Sequence, residues 1–389
     1  MRVGVVGSGI AGLCVATELS RQGHRVEVVE RREQLGGRAA VVDGVEHCSR
    51  IMMDDYTQLE RVLDRVPSIE PGRSIWQTLV PVRRMVHLER RGWLALSRLY
   101  TLRAAELSLR DRCELARARR RKPLLATELR LGRLTELRMA AQLSLPGWAR
   151  VVAAASRVGG ARAFSGPTDV HLLDPWVEHL RRSGVELLTE TTVERLRPTV
   201  GGAEIHHSGR WHRYDAVMVA VFVPDALELL RASGVRHRLR VSEIGMHSCS
   251  SATFVVDENE EVAARHEGRD DEVYLYAGGG FYALYQPRPR RVVAVSTRPG
   301  PDGAALVDAT SRMLHLRRPV DVVGVRDDSA PASRLFGATP RNPRRIARIG
   351  AVHFAGSYLS PSYPLDSGEA AARSAGAVTE ALLAASERP

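Results

Sequence analysis

The chain has 389 residues, 44% of them apolar and 26% charged, and carries a formal net charge of +11. That length suits two domains of ordinary size with a packed core, which excludes a disordered chain and a small disulfide-stapled module. One of the 56 basic residues is Lys122 and the other 55 are arginines scattered along the whole sequence, a bias that points to a GC-rich gene and not to a nucleic-acid-binding face.

The first elements are the most informative. Arg2 to Val6 reads as a short buried strand, followed by Gly7-Ser8-Gly9-Ile10-Ala11-Gly12, a helix to about Arg21, Gly23, and a second strand from His24 to Val29. This apolar start is a βαβ unit and not a cleaved leader. Its glycines stand where an adenine dinucleotide needs them. Gly7 permits a tight turn, Gly9 lets the backbone (with Ile10 and Ala11) approach a pyrophosphate, and Gly12 lets helix and strand pack closely. The helix N-terminus offers free N–H groups and partial positive charge to the phosphates. Glu30 ends the second strand, where its carboxylate can accept hydrogen bonds from the adenosine ribose. It would repel a 2′-phosphate, although the adjacent Arg31 weakens that distinction.

Leu35-Gly36-Gly37-Arg38 follows at once. This pattern resembles the double-glycine motif after the acid in FAD enzymes of the glutathione reductase superfamily, and it favours FAD over NAD. Gly37 would let the chain turn back past the pyrophosphate, and Arg38 could neutralise it or fix the loop. The next segment, His47-Cys48-Ser49-Arg50-Ile51-Met52-Met53-Asp54-Asp55-Tyr56, resembles in its frame the one that passes beside the flavin in phytoene desaturase-like and hydroxysqualene dehydroxylase-like proteins. The resemblance implies that Arg50 to Met53 lie nearest the ring. Core packing is an equal reading of Met52 and Met53.

From Ser74 to Leu96 the pattern predicts two strands, Ile75 to Val80 and Met85 to His87, leading to Trp93. From Leu102 to Val158 leucines and alanines recur at helical spacing, interrupted by the basic run Arg117 to Lys122 and punctuated by Pro123 and Pro146. This stretch reads as a helical insertion of a substrate domain, as an amphipathic surface helix admitting lipid, or as an ordinary solvated face. Phe164 to Thr168 predicts a turn and Asp174 to Ser183 a helix. Strands follow at Val185 to Leu188, Thr192 to Leu196, Ala203 to His206 and Trp211 to Arg213, and an apolar strand suited to a parallel sheet at Tyr214 to Val221. In the flavoproteins that the order resembles, a valine placed like Val193 meets adenine through its backbone.

Ser248 to Val256, Glu272 to Tyr276, Phe281 to Gln286 and Arg291 to Thr297 alternate like strands of an antiparallel sheet flooring a pocket. A helix is expected from Asp302 to Met313 and a strand from Val322 to Arg326. The closing stretch runs from a strand, Ala351 to Gly356, through Ser357 and a loop containing Tyr363 to a helix opening at Asp366-Ser367-Gly368-Glu369. It resembles the closing motif of the same flavoproteins. Asp366 or Ser367 would cap that helix, and its first N–H groups would face the flavin. Ser357 stands where the family commonly has an acid, and Ala370 and Ala375 replace frequent glycines.

Together these readings predict an α/β fold: a Rossmann-like FAD-binding domain of the glutathione reductase type, with a second α+β substrate domain holding an antiparallel sheet and a helical insertion. The FAD-binding segments would be 1–72, 164–235 and 341–389, and the substrate segments 73–163 and 236–340. The resemblance to amine oxidase and phytoene desaturase-like proteins implies FAD as cofactor and removal of a hydride from an apolar, isoprenoid-like small molecule. A net dehydration, isomerisation or cyclisation on the same fold is the alternative. Lys122, within an arginine cluster, is poorly placed for the lysine that many amine oxidases hold near the flavin. His47, Tyr282, Tyr285 and Tyr363 are the acid–base candidates. No metal-ligand spacing stands out, and His206 and His207 read as strand residues. Cys14, Cys48, Cys113 and Cys249 form no CxxC, which fits a reducing cytoplasm. No apolar run approaches the roughly 18 residues of a membrane span; peripheral membrane contact stays open, and no nucleic-acid partner is expected. One geometric requirement follows: the opening turn and the terminal helix must meet in space.

Overall fold

The computed structural model describes residues 1–53, 56–88, 92–96, 161–236, 246–278, 281–296, 303–331, 348–359 and 367–386. The expected helical stretch from Leu102 to Val158, the basic run Arg117 to Lys122, Tyr363 and Asp366 lie outside the described residues.

Strand β1 (Arg2–Val6), helix α1 (Ile10–Arg21) and strand β2 (Arg25–Val29) form the expected unit. Their sheet has six strands among the described residues, in the order β19-β20-β13-β1-β2-β9. Here β9 is Glu186–Leu188, β13 Ala216–Val219, β19 Arg348–Ile349 and β20 Val352–Phe354. All pairings are parallel except β19 with β20. Helices cover both faces, so its strands read as near-continuous valine runs. Val3 and Val5 face one core with Leu13 and Ala16 of α1, whereas Val6, Val217 and Val219 face the other with Val223, Ala226 and Leu230.

The closing helix, Gly368–Ser386, packs directly on α1. Ala370, Ala371 and Ala375 are buried in the same core as Leu13 and Ala16, and their small side chains keep the two helices close. Trp176, on the helix Asp174–Arg182, is fully buried there and donates its indole N–H to Thr17 Oγ1 at 2.8 Å. The opening and terminal elements therefore do meet. A three-stranded antiparallel meander, β10 (Arg195–Thr199), β11 (Gly202–His207) and β12 (Arg210–Tyr214), packs on the opposite face.

The second sheet has the order β18-β14-β17-β16-β15-β6-β8-β5, with β7 paired to β6; here β5 is Ile51–Met53, β6 Val80–Leu88, β7 Gly92–Leu96 and β8 Ala161–Ala163. Its central hairpins are β14 (Met246–Val255), β17 (Arg291–Ser296), β16 (Phe281–Gln286) and β15 (Val273–Gly278), with edge strand β18 (Asp321–Pro331). Only β15 with β6 is parallel among the described pairings of this sheet. The chain thus has a mixed α/β fold whose parallel, helix-covered sheet is Rossmann-like. No helix among the described residues is long and apolar enough to cross a membrane.

Three boundaries differ from expectation. Ile75 to Val80 is not a strand: Trp76–Thr78 forms a 3₁₀ turn whose Ile75 and Trp76 plug the core, and one long strand, β6 (Val80–Leu88), follows, paired to β7 (Gly92–Leu96). A short apolar run fits either state, and burial decided it. Thr192 to Glu194 is also not strand; β10 begins at Arg195. Tyr214 to Val221 is split at Asp215, whose N–H donates to Arg2 O and whose carboxylate accepts from Arg2 N at 2.6 Å. Tyr214 therefore ends the meander, and only Ala216–Val219 joins the parallel sheet.

Candidate functional site

The glycines of the first turn have three separate jobs. Gly7 lies at φ +95°, and a Cβ there would sit 2.9 Å from Ala220 O. A Cβ on Gly12 would sit 2.0 Å from Gly7 O, so β1 and α1 pack against each other only because it is absent. A Cβ on Gly9 would meet nothing within 4 Å, because it faces a cavity. Gly9 is also the N-cap of α1, and no side chain caps that terminus. The free N–H groups beside Ile10 and Ala11 therefore end at the cavity wall, an arrangement made for an anion.

Glu30 is buried at the tip of β2. Its Oε2 accepts hydrogen bonds from Ser8 N at 2.9 Å and Ser8 Oγ at 2.8 Å, and its Oε1 accepts from Arg32 N at 3.0 Å. The double glycine folds back onto this turn: Gly36 and Gly37 both have positive φ, +109° and +58°, Gly36 N donates to Ser8 O at 3.0 Å, and Gly9 and Gly36 bridge. Arg31 is turned to Asp225, which it binds through both terminal nitrogens at 2.9 and 3.2 Å. Arg38 stacks over Phe222 at 5.0 Å, with Nη2 3.4 Å from Ser357 Oγ. The first and last segments of the chain are thereby joined beside the cavity.

That cavity encloses about 550 Å³, within the range of roughly 300–1,000 Å³ usual for small-molecule sites. Gly7, Gly9, Ile10, Ala11, Glu30, Arg31, Gly37, Arg38, Met52, Met53, Val193, Gly356, Ser357, Ser367 and Gly368 all line it, as do His47 and Tyr282. Gly12 stands behind the wall, between α1 and β1. Val193 sits in a stretch whose neighbours are already pinned, Thr191 N to Glu30 O and Glu194 N to His206 O, each at 2.9 Å. Met52 and Met53, on β5 (Ile51–Met53), belong to the core and also line the cavity.

At the closing end, Gly356 N donates to Ser374 Oγ at 3.1 Å. Ser367 Oγ accepts from Ala370 N at 3.1 Å, which makes Ser367 the cap of the last helix. Tyr285 lies elsewhere. Three residues beyond Tyr282 on the same strand, it faces the opposite side of the sheet, where it packs near His266 with ring centroids 5.8 Å apart. Burial pushes its phenol up to about 12.

Three positioning contacts were not foreseen. Arg50 Nη2 donates to Arg38 O at 2.7 Å and Nη1 lies 3.2 Å from Cys48 Sγ, fastening the cavity-lining segment 47–50 to the glycine loop. Glu46, just before that segment, is buried in an ion pair with Arg291 and accepts from Thr168 Oγ1 at 2.6 Å. Glu369 is fully buried and accepts from Gln58 N at 3.2 Å, Leu59 N at 2.9 Å and Arg373 Nε at 2.6 Å. These partners are up to 311 residues apart, beyond any local sequence signal. Cys14 and Cys48 form no disulfide among the described residues.

The residues present fit a dinucleotide cofactor: an uncapped helix N-terminus, a glycine with open space before it, and an acid already oriented by Ser8 share one wall. Comparison with known proteins agrees. Residues 5–66 match the NAD(P)-binding Rossmann-like domain family. Two Arabidopsis thaliana proteins named as flavin-containing monooxygenases are each 50% identical over 44 residues, 11% of this chain and 26% and 10% of theirs. A Mycobacterium tuberculosis protein named as a flavin-containing monoamine oxidase is 60% identical over 35 residues, 9% of this chain and 8% of its own. The matched segments thus span about a quarter or less of those relatives. An oxidoreductase from Methanosarcina mazei has a similar structure, with a TM-score of 0.62 at 16% identity, covering 98% of this chain and 100% of its own. Cyclohexylamine oxidase from Brevibacterium oxydans gives a TM-score of 0.55 at 16% identity, covering 100% and 99%. The chain thus shares its fold with solved oxidoreductases, an amine oxidase among them.

Proposed function

We propose that this chain is an FAD-dependent oxidoreductase of the desaturase or dehydrogenase type, acting on an apolar, isoprenoid-like small molecule. One observation carries the reading: the opening glycine turn and the closing strand–helix segment line a single cavity. The N–H groups of Gly9 to Ala11 and the α1 terminus would hold the pyrophosphate. Glu30 would accept from the adenosine ribose, and the backbone at Val193 would meet adenine. Arg38 and Ser357 would bridge toward the flavin end, where Met52, Met53, His47 and Tyr282 lie. FAD supplies the two-electron acceptor that such a reaction needs. His47 and Tyr282 are the side chains at that end suited to hold or move a proton.

The single lysine, Lys122, stands within an arginine run of the sequence, a poor setting for a lysine beside a flavin. This supports transfer of electrons to a separate acceptor over lysine-assisted reaction with oxygen. The apolar wall formed by Ile51, Met52 and Met53 supports an apolar substrate. The discontinuous organisation, with cofactor segments 1–72, 164–235 and 341–389 and substrate segments 73–163 and 236–340, belongs to the same proposal.

Purification followed by a visible spectrum and mass analysis of released small molecules tests it. Flavin bands, FAD on denaturation and anaerobic bleaching by a co-purifying apolar metabolite are the expected results. A colourless protein that takes up no added FAD would end the proposal. A flavin left oxidised while substrate is converted would move the reaction to a net non-redox step.

A further inference from the structure

A second group of chemistry-bearing side chains lies away from the cavity, between the parallel sheet and the meander. Glu27 on β2, His207 on β11 and His212 on β12 each offer one donor atom, and these atoms all lie within 4.8 Å of one another. None of the three lines the cofactor cavity. Strand register explains the meeting. Ile205 pairs with His212 and His207 with Arg210, so the two histidines are diagonal neighbours on one face of the hairpin. Glu27 reaches the same place from the parallel sheet.

We propose that Glu27, His207 and His212 form a binding site for a divalent transition metal of the zinc class. Two imidazoles and a carboxylate are the donor set of a three-ligand zinc site with one open position. His207 is 2% exposed, its Nε2 has no hydrogen-bond partner, and that nitrogen lies 3.8 Å from Glu27 Oε1. A buried, unpaired ring nitrogen facing a carboxylate is an unsatisfied acceptor or donor that a metal would resolve. The other ring nitrogen, Nδ1, is 3.3 Å from Ser208 Oγ, a contact that orients the ring.

The carboxylate is oriented too: Arg2 Nη2 donates to Glu27 Oε2 at 2.9 Å and the Tyr214 hydroxyl donates to Oε1. Arg2 opposes a cation electrostatically, which places the affinity below that of four-ligand structural zinc. The two imidazoles stack with centroids 3.7 Å apart and planes 10° apart. Coordination would open this stack so that both lone pairs point to one ion. Arg210 Nε lies 3.3 Å from His212 Nε2, so that contact either yields or leaves Nδ1 as the donor.

The test uses the full chain as purified with its cofactor, without an affinity tag, stripped with a chelator and dialysed against Zn²⁺. One zinc per chain is expected, with zinc raising the thermal midpoint. His212→Ala and His207→Gln should each weaken binding by about ten-fold or more and abolish the thermal shift, with the flavin spectrum unchanged. No retained zinc, or equal retention by His212→Ala, would overturn the site. His212 is only half-buried, so its variant remains informative if His207→Gln does not fold. Because the cluster lies outside the cavity, failure here and failure of the flavin reading are separately visible.

Discussion

Ser8 and Glu30 are 22 positions apart and joined by two hydrogen bonds, from the backbone N–H at 2.9 Å and from the hydroxyl at 2.8 Å. The acid that closes β2 thereby holds the turn that follows β1, in addition to facing the cavity. Glu30→Gln removes the charge and one good acceptor. Hydrogen bonds to charged groups contribute about 1.5–3 kcal/mol, so FAD affinity should fall about ten-fold or more, measured by quenching of flavin fluorescence on titrating apoprotein. Ser8→Ala should give a smaller loss. Unchanged affinity in Glu30→Gln would remove this residue from the cofactor site.

Gly9 and Gly12 should separate binding from folding. Gly9 has φ −64° and ψ 175°, open to any residue, and a methyl group there meets no protein atom. Gly9→Ala is expected to keep its unfolding midpoint and lose flavin. Gly12→Ala drives a methyl group against a backbone oxygen, and overpacking of this kind costs about 1–3 kcal/mol or more. Its urea midpoint should fall even without cofactor. Equal behaviour of the two variants would contradict the assigned roles.

Glu369 is the anchor between the last helix and the helix Thr57–Leu63, whose first N–H groups it accepts. Glu369→Ala leaves the Arg373 guanidinium and those N–H groups without this partner. Breaking a buried ion pair costs about 3–5 kcal/mol, which predicts a large drop in the chemical denaturation midpoint. Glu369→Gln keeps an acceptor and should fall between that variant and the wild type.

His266 provides a pH test. It is 2% exposed, stacks on Tyr274 at 3.5 Å, and its Nε2 lies 2.8 Å from the Tyr276 hydroxyl. Burial, then Arg265 and Arg269, push its pKa from 6.5 down to about 4. In the unfolded chain it protonates near 6.5, so between those values the unfolded state binds the extra proton. Its contribution to stability is therefore constant above about pH 6.5 and is lost progressively as pH falls toward 4. The urea midpoint of the wild type should drop more steeply between pH 7 and pH 5 than that of His266→Gln. Parallel slopes would show that His266 titrates normally.

The glycine-turn half of the candidate site is legible in the sequence because its signals are local. Gly7, Gly9, Gly12, Glu30 and the double glycine fall within 31 consecutive residues, and each has a local reason that needs no tertiary knowledge. The closing Gly356-Ser357 and Ser367-Gly368 were readable as a strand end and a helix start. Other features depended on where distant elements came to rest. The alternation of β16 separates Tyr282 from Tyr285, but only the assembled sheet shows which face meets the cavity. Phe222 under Arg38, Glu369 on Leu59 N, and Glu27 beside His207 are long-range contacts with no periodicity to announce them. Trp76 reads as strand from sequence because a buried apolar plug and a buried strand have the same composition.

The pairing of β20 with β13, and of the last helix with α1, has a consequence for biosynthesis. A nascent polypeptide emerging from the ribosome can form β1, α1 and β2 almost at once, yet the parallel sheet lacks β20 until residue 354 has been translated. Until then α1 exposes the apolar stripe that the alanines of the final helix will cover. The cavity wall that joins the two ends of the chain is thus complete only once that helix has been translated, and a premature stop before it leaves α1 without its cover.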